Sequence, residues 1–392
     1  MFGPASNRVR RTWVSAVALA VVGASLAACG SSSSSAGSAS GSSGSTTGLT
    51  SITIGTPNAA YSPQSINFEI PDYLGYYKQQ GLSVKIDNLG TPQGVLSALS
   101  TGRVDFAILP DTNITATVAG GQSIKATAFY EFAYPFKYGV AVNPSSGITS
   151  ISQLKGKTIG TDSFGQSEYN VGQVMLTDSG VSESQVHWLA TGLGVASGQA
   201  LQRNRISALF YSDAGFGLIL AAGIPMKFLP LPAGVPQVGG QFVLASDKVW
   251  NTAQGKSMAT KLATAIGETS TFIQANPTAA AYAYLKQVPS AAAPGQPLNK
   301  QIASVELPVK LRAKLFTPPS GLQLGQVNPK NFSDAISFQK LKPVNVSSLY
   351  SNAVVAAADK FSVAKIQQQA KSYKVPGVTG QVPVVAIPTG TP

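Results

Sequence analysis

The chemistry open to this chain is narrow. It has one histidine, His187, and one cysteine, Cys29, among 392 residues. A single histidine cannot build a multi-histidine zinc site, and a lone cysteine cannot close an intramolecular disulfide. His187 sits in Val186-His187-Trp188-Leu189, a run that reads as a strand, where an imidazole packs or faces solvent. No Ser-His-Asp set is compelling around it, and the sequence has no Gly-x-x-x-x-Gly-Lys-Ser/Thr phosphate loop. We therefore expect no catalytic residue, no metal and no cofactor. What remains is recognition by carboxylates, tyrosines, amides and hydroxyls at the ends of short β-branched runs.

Ligands of open α/β sheets sit beyond the carboxyl ends of the strands. In the first half of the chain that rule selects Asn58, Tyr61 and Gln64, then Thr91, then Asp111 and Thr112, then Glu131 and Tyr134. In the second half it selects Asp162, Ser163, Phe164, Gln166 and Ser167, then Thr191 and Gly192, then Tyr211 and Asp213. The segment from Asp162 to Ser167 is the strongest candidate. It joins a strand to a helix start, and its small residues let a ligand reach free backbone N–H groups. Capping of that helix by Ser163 or Ser167 is an equal reading.

The elements that must hold these residues alternate regularly. Strands are expected at Ile52–Ile54, Ser83–Ile86, Val104–Leu109 and Ile124–Glu131, with helices over Asp72–Gln80, from Thr91 to Gly102, and from Asp111 to about Gly120. Pro71 suits the first helical position and Gly81 the position after the last. A second round places strands at Tyr138–Asn143, Lys157–Thr161, Val186–Thr191, Arg205–Tyr211, Met226–Leu231 and Gln241–Ser246, and helices over Tyr169–Ser179, Val195–Arg203 and Asp213–Ala222. The rest, to Lys371, reads as helices broken by prolines. This alternation predicts an α/β fold with mainly parallel sheets. Ala98 to Phe106 parallels Ala200 to Ala208. Both run from a helix end, through a residue that tolerates the left-handed region (Gly102, Asn204), into a strand, as two similarly built lobes would.

The N-terminus has a separate logic. Arg8, Arg10 and Arg11 precede an apolar run from Trp13 to Ala28, the architecture of a secretory signal peptide. The ending Leu26-Ala27-Ala28-Cys29 resembles a bacterial lipobox, which implies that residues 1–28 are removed and Cys29 is acylated. Residues 29–51 are nearly all Ser, Gly, Ala and Thr and read as a flexible spacer. Losing the three arginines lowers the formal charge of +12 by three. The remaining basic residues are scattered, which argues against nucleic acid. With 44% hydrophobic and only 11% charged residues, the body can bury a large core. Its expected home is the outer face of a cell membrane, held by a lipid.

Four segments together resemble a known family: Gly75 to Val84, Ala98 to Phe106, Gly147 to Gly160, and Leu176 to Val186. They look like the solute-binding proteins of ABC importers, in the nitrate, sulfonate, taurine and thiamine-pyrimidine-precursor group. The resemblance runs from about residue 52 to 290. It implies a type II periplasmic-binding-protein fold, with lobe 1 formed by 52–137 plus 241–371, lobe 2 by 138–240, and an extended tail over 372–392. Two crossing strands, near Tyr138–Asn143 and Gln241–Ser246, would join the lobes, and a hinge motion would close them over a solute. The implied partners are a small-molecule solute, an ABC permease and its ATPase, with the protein a monomer. The family usually has Asp where this chain has Ser207, and the region beyond Pro289 is longer than the pattern. The candidate set holds acids and rings but no Arg, Lys or His. It therefore suits a small aromatic or nitrogen-containing solute better than nitrate or a sulfonate. The alternatives are a pyrimidine-precursor-synthase-like enzyme, for which His187 is poorly suited, and a ligand-sensing partner of a membrane receptor.

Overall fold

The computed structural model describes residues 48–233, 235, 238–378 and 382–392. The signal segment 1–28, Cys29 and most of the Ser/Gly spacer lie outside the described residues. The strands are β1 (Thr50–Thr56), β2 (Leu82–Asn88), β3 (Phe106–Pro110), β4 (Ala126–Ala133), β5 (Tyr138–Val142), β6 (Thr158–Thr161), β7 (His187–Ala190), β8 (Ala208–Ser212), β9 (Lys227–Phe228) and β10 (Gln241–Ser246). The longer helices are α1 (Ile66–Leu74), α2 (Pro92–Thr101), α3 (Asp111–Ala119), α4 (Ser167–Asp178), α5 (Val195–Gln202), α6 (Asp213–Ala221), α7 (Ala253–Ala275), α8 (Pro277–Gln287), α9 (Leu298–Ala313), α10 (Pro329–Phe338) and α11 (Val363–Ser372).

Two five-stranded sheets share one plan. Their orders are β2-β1-β3-β10-β4 and β7-β6-β8-β5-β9. In each, one antiparallel strand is inserted beside the third of the parallel strands: β10 against β3 and β4, β5 against β8 and β9. These are the two segments expected to cross. The remaining neighbours, β1 with β2 and β3, and β6 with β7 and β8, are parallel. The paired junctions also match, because Gly102 (φ 69°) and Asn204 (φ 54°) both take the left-handed region.

Each sheet is covered on both faces at its centre, which is why β3, β5 and β8 read as continuous apolar runs while the edge strands β2 and β7 do not. On one face of the first sheet, Ile52, Ile54, Phe106 and Phe129 pack with α1, α7 and α8; on the other, Leu109 and Phe242 pack with Val95, Leu99 and Phe332. Fully burying each such side chain contributes about 1.5–3 kcal/mol. The second sheet buries Val140, Ile159 and Phe210 on one face and Leu209 and Tyr211 on the other.

Several expectations need correction. The helix expected over Asp72–Gln80 is two pieces. α1 starts earlier, carries Pro71 inside it and ends at Gly75 (φ 78°), and a single turn, Tyr76–Gln79, follows. Burial of Ile66, Phe68 and Ile70 outweighs the backbone bond that Pro71 forfeits. β1 begins at Thr50, inside the expected spacer. The strand expected over Met226–Leu231 shrinks to two residues ahead of Pro230 and Pro232.

The helices beyond Pro289 do not pack with the first sheet alone. Leu307 and Leu311 of α9 join the core beneath β8, and Ala335 and Phe338 of α10 join the core on its other face. Pro308 packs against α6 so tightly that a Cβ on Gly217 would lie 2.5 Å from the proline Cα. The final residues bridge as well: Val382 packs against the first core, Val385 against the core beneath β8, and Pro392 lies beside Gly139. Gly48–Pro392 accordingly forms one compact unit.

Candidate functional site

The turns after the strands are fixed before any ligand is considered. After β1, buried Glu69 of α1 accepts the Ser62 N–H (3.1 Å) and the Ser65 hydroxyl (2.9 Å), and Ser65 Oγ accepts from Asn58 Nδ2 (2.9 Å). Burial pushes the Glu69 carboxyl up to about 8, against the pull of those two donors. After β2, Thr91 caps α2 by accepting the Gly94 N–H at 3.1 Å. After β6 and β7 the two turns are tied together, Thr191 N–H to Thr161 O (2.8 Å) and Gly192 N–H to Asp162 O (3.0 Å). The Tyr211 hydroxyl accepts from Gly194 N–H and donates to Gly192 O, closing the same turn from beneath.

These turns surround a cavity of about 680 Å³ between the two sheets. Asn58, Tyr61 and Thr91 line it from the first half, and Asp162, Ser163, Gln166 and Gly192 from the second. Its remaining wall is mostly apolar, with Leu193, Val195, Leu218 and Ala222 from the second half and Tyr284, Ala291, Ser304 and Val305 from the helices after the last strand. Asp162 is the one charged residue among the described residues lining it. Its carboxylate makes no hydrogen bond or ion pair with them, and desolvation, helped by nearby Glu168 and opposed by Lys137, pushes it up to about 7.

At the floor the two halves are latched. Gln166 Nε2 donates to Pro57 O (3.0 Å), Gln64 Nε2 to Ser212 Oγ (3.1 Å), and Asn113 Nδ2 to Gly165 O (3.3 Å). Beneath Asn58 and Gln166 lies a second space of about 20 Å³, room for about one water. It is lined by Gln64, Ser167, Lys137 and Glu168. Lys137 Nζ lies 3.9 Å from Glu168 Oε1 and 3.4 Å from Ser167 Oγ, and burial lowers its pKa.

The predicted residues thus separate. Asn58, Tyr61, Thr91, Ser163 and Gln166 line the large cavity, while Gln64 and Ser167 face the small one. The carboxylates after the third and fourth strands do not reach either. Asp111 is fully buried and accepts backbone N–H groups from Thr112, Gly239 and Gly240. Glu131 accepts from Asn328 N–H and Asn331, and burial raises its pKa. Asp213 pairs with Arg312 of α9 at 2.7 Å, both fully buried. Tyr134 donates to the carbonyls of Gln323 and Gln326, Tyr211 serves the turn above it, and Thr112 is buried without a partner for its hydroxyl among the described residues. Thr191 donates to Thr161 O, and Phe164 is exposed against Tyr169. Neither Ser163 nor Ser167 caps α4, whose N-cap residue, Gln166, makes no side-chain cap bond. His187 lies exposed on the edge strand β7 and lines neither cavity.

The strand-end rule could not have found the apolar wall. Tyr284, Ala291, Ser304 and Val305 come from the helical region after the last strand, where nothing in the sequence says which face turns to the cavity. Lys137 lay just before a strand, a position the rule ignores.

The family model described as NMT1/THI5 like matches residues 62–280. No curated protein matches the chain by sequence. Among solved structures, a protein from Bordetella bronchiseptica RB50 is similar at 19% identity, over 79% of this chain and 97% of its own, with a TM-score of 0.58. The alkanesulfonate-binding protein SsuA from Xanthomonas axonopodis pv. citri, bound to MOPS, is similar at 18% identity (79% and 98% covered, TM-score 0.55). The periplasmic aliphatic sulphonate binding protein SsuA from Escherichia coli is similar at 16% identity (78% and 99% covered, TM-score 0.56). Among the described residues no helix is long and apolar enough to cross a membrane.

Proposed function

Because this chain belongs to the NMT1/THI5-like family and has the two-lobed periplasmic-binding-protein fold, we propose that it is an extracytoplasmic solute-binding lipoprotein of an ABC importer. It captures a small aromatic or nitrogen-containing nutrient between its lobes and presents it to the permease, whose ATPase supplies the energy. The observation that carries this reading is the cavity of about 680 Å³ between the sheets, at strand ends and mostly apolar, the setting in which solutes bind. A solute that contacts both lobes favours their closed arrangement by its difference in affinity for the two states. The lipid on Cys29 holds the protein at the membrane surface, where the permease is.

The enzyme reading needs a reactive histidine at the ligand, whereas the sole histidine, His187, lies exposed on β7 and is not among the residues lining the cavity. The test is reconstitution of the cognate permease and ATPase in vesicles. Adding this protein with its solute should raise ATP hydrolysis well above either alone. ATPase rates that ignore the protein would overturn the transport reading. For the anchor, Cys29→Ala should move the protein from the membrane fraction to the medium, and continued membrane retention would contradict lipidation there.

A further inference from the structure

The cavity's chemistry is lopsided. Asp162 is the one charged residue among the described residues lining it, and its carboxylate has no partner among them. Most of the remaining lining is apolar, including Leu193, Leu218 and Val305, with Tyr284 and Ser304 as the hydroxyl-bearing residues of that wall. No described cationic side chain lines the space, and Lys137, the nearest buried cation, is occupied by Glu168 and Ser167 in a gap of about 20 Å³. An anionic head entering here would meet a carboxylate and find no counter-charge. A protonated nitrogen would pair with that carboxylate in a poorly solvated setting, where such a pair is stronger than at the surface. The cavity is also too large to be filled by a head group alone, and its apolar wall gains only if the ligand brings an apolar body.

We infer that the cavity selects an amphipathic cation: a compound whose protonated amine or amidine pairs with Asp162 and whose apolar body lies along Leu218, Tyr284 and Val305. This inference rests on the solute-binding reading and adds the ligand's charge and the orientation in which it lies. It also assigns a role to the region after Pro289. α9 contributes Ser304 and Val305, so the helices beyond the family match form part of the specificity wall.

The test is a calorimetric series on the full chain with probes that share one body and differ in the head. They are 4-phenylbutylamine, 4-phenylbutanol and 4-phenylbutanesulfonate, with butylamine as the control that lacks the ring. The amine should bind at least about tenfold tighter than the alcohol, the sulfonate should be weakest, and butylamine should lose at least about tenfold against 4-phenylbutylamine. Asp162→Asn should bring the amine to within about twofold of the alcohol and leave the alcohol unchanged. Because the Asp162 carboxylate accepts no hydrogen bond from the described residues, and its backbone bond to Gly192 N–H is kept in the variant, Asp162→Asn tests charge rather than folding, and the wild-type series stands without it. A sulfonate that binds as tightly as the amine would overturn the inference, as would an amine-to-alcohol ratio that survives Asp162→Asn. In either case the cavity would remain a solute site and the transport reading would stand. Absence of binding by all four probes would overturn the inference too, while ATPase stimulation judges the transport reading separately.

Discussion

The two halves solve one problem in two ways. Both place an aspartate where the third parallel strand meets its helix, Asp111 after β3 and Asp213 after β8, and both carboxylates are fully buried. In the first half the neutral backbone does the work, as Thr112, Gly239 and Gly240 turn their N–H groups onto Asp111 from its own helix and from the segment entering β10. In the second half a full charge does it. Arg312 reaches in from α9, a helix outside the repeated plan, and leaves its own Nε and Nη1 and one Asp213 oxygen without partners among the described residues. The first solution is local and ties a crossing segment to its sheet. The second ties the C-terminal region to the second sheet, alongside the Gly217–Pro308 contact. A buried carboxylate at the matching place in the two halves is thus a fastening point, and what it fastens differs between them.

Breaking the ionic fastening should have the largest effect. Arg312→Met leaves Asp213 buried without its counter-charge and should cost about 3–5 kcal/mol, read from urea unfolding. Adding Asp213→Asn should recover part of that loss, and a strictly additive double variant would show that the pair does not couple. The neutral fastening should cost less to break. Asp111→Asn turns an amide N–H toward backbone donors and should cost about 1–3 kcal/mol. This cost carries a pH signature. Burial pushes the Asp111 carboxyl up from 3.8 to about 7, so the folded protein holds that proton more tightly than the unfolded chain. The stability it gives is complete below about pH 4 and is lost as pH rises through about 7. The gap between wild type and Asp111→Asn should therefore be wider at about pH 5 than at about pH 8, and a gap that widens with pH would contradict the assignment.

The smallest effect sharpens the comparison at another matched pair. Asp105 and Ser207 both donate their N–H to the first parallel strand of their sheet, to Thr53 O (3.0 Å) and Thr158 O (2.7 Å). Only Asp105 also accepts in return, from Thr53 N–H at 2.8 Å. Ser207→Asp should supply the missing bond and add about 0.5–1.5 kcal/mol to stability. A neutral or destabilising outcome would mean that the halves are less alike here than their backbones.

What was legible in the sequence follows the same division. Strand and helix alternation and both left-handed junctions could be read because each is set by local pattern: β-branched runs, a glycine or asparagine after a helix, a threonine before Pro92; that two of the strands cross came from the family resemblance. Asn58, Thr91 and Gln166 could be placed near a cavity because strand ends point there in any sheet of this kind. Asp111, Glu131 and Asp213 satisfied the same rule, yet their partners, Gly239, Asn328 and Arg312, lie about a hundred residues or more away in sequence, and nothing local announces them. The apolar wall was hidden for the opposite reason. A valine or leucine on a helix reads as core whether it faces a neighbour or an open space.

The central claim is that solute binds in the cavity between the sheets, against the wall that α9 completes. The most direct measurement is the calorimetric Kd of 4-phenylbutylamine for wild type and for Ser304→Trp, whose indole would occupy the space above α9. The account predicts at least about tenfold weaker binding at an unchanged urea midpoint. An unchanged Kd in a folded Ser304→Trp protein would contradict it.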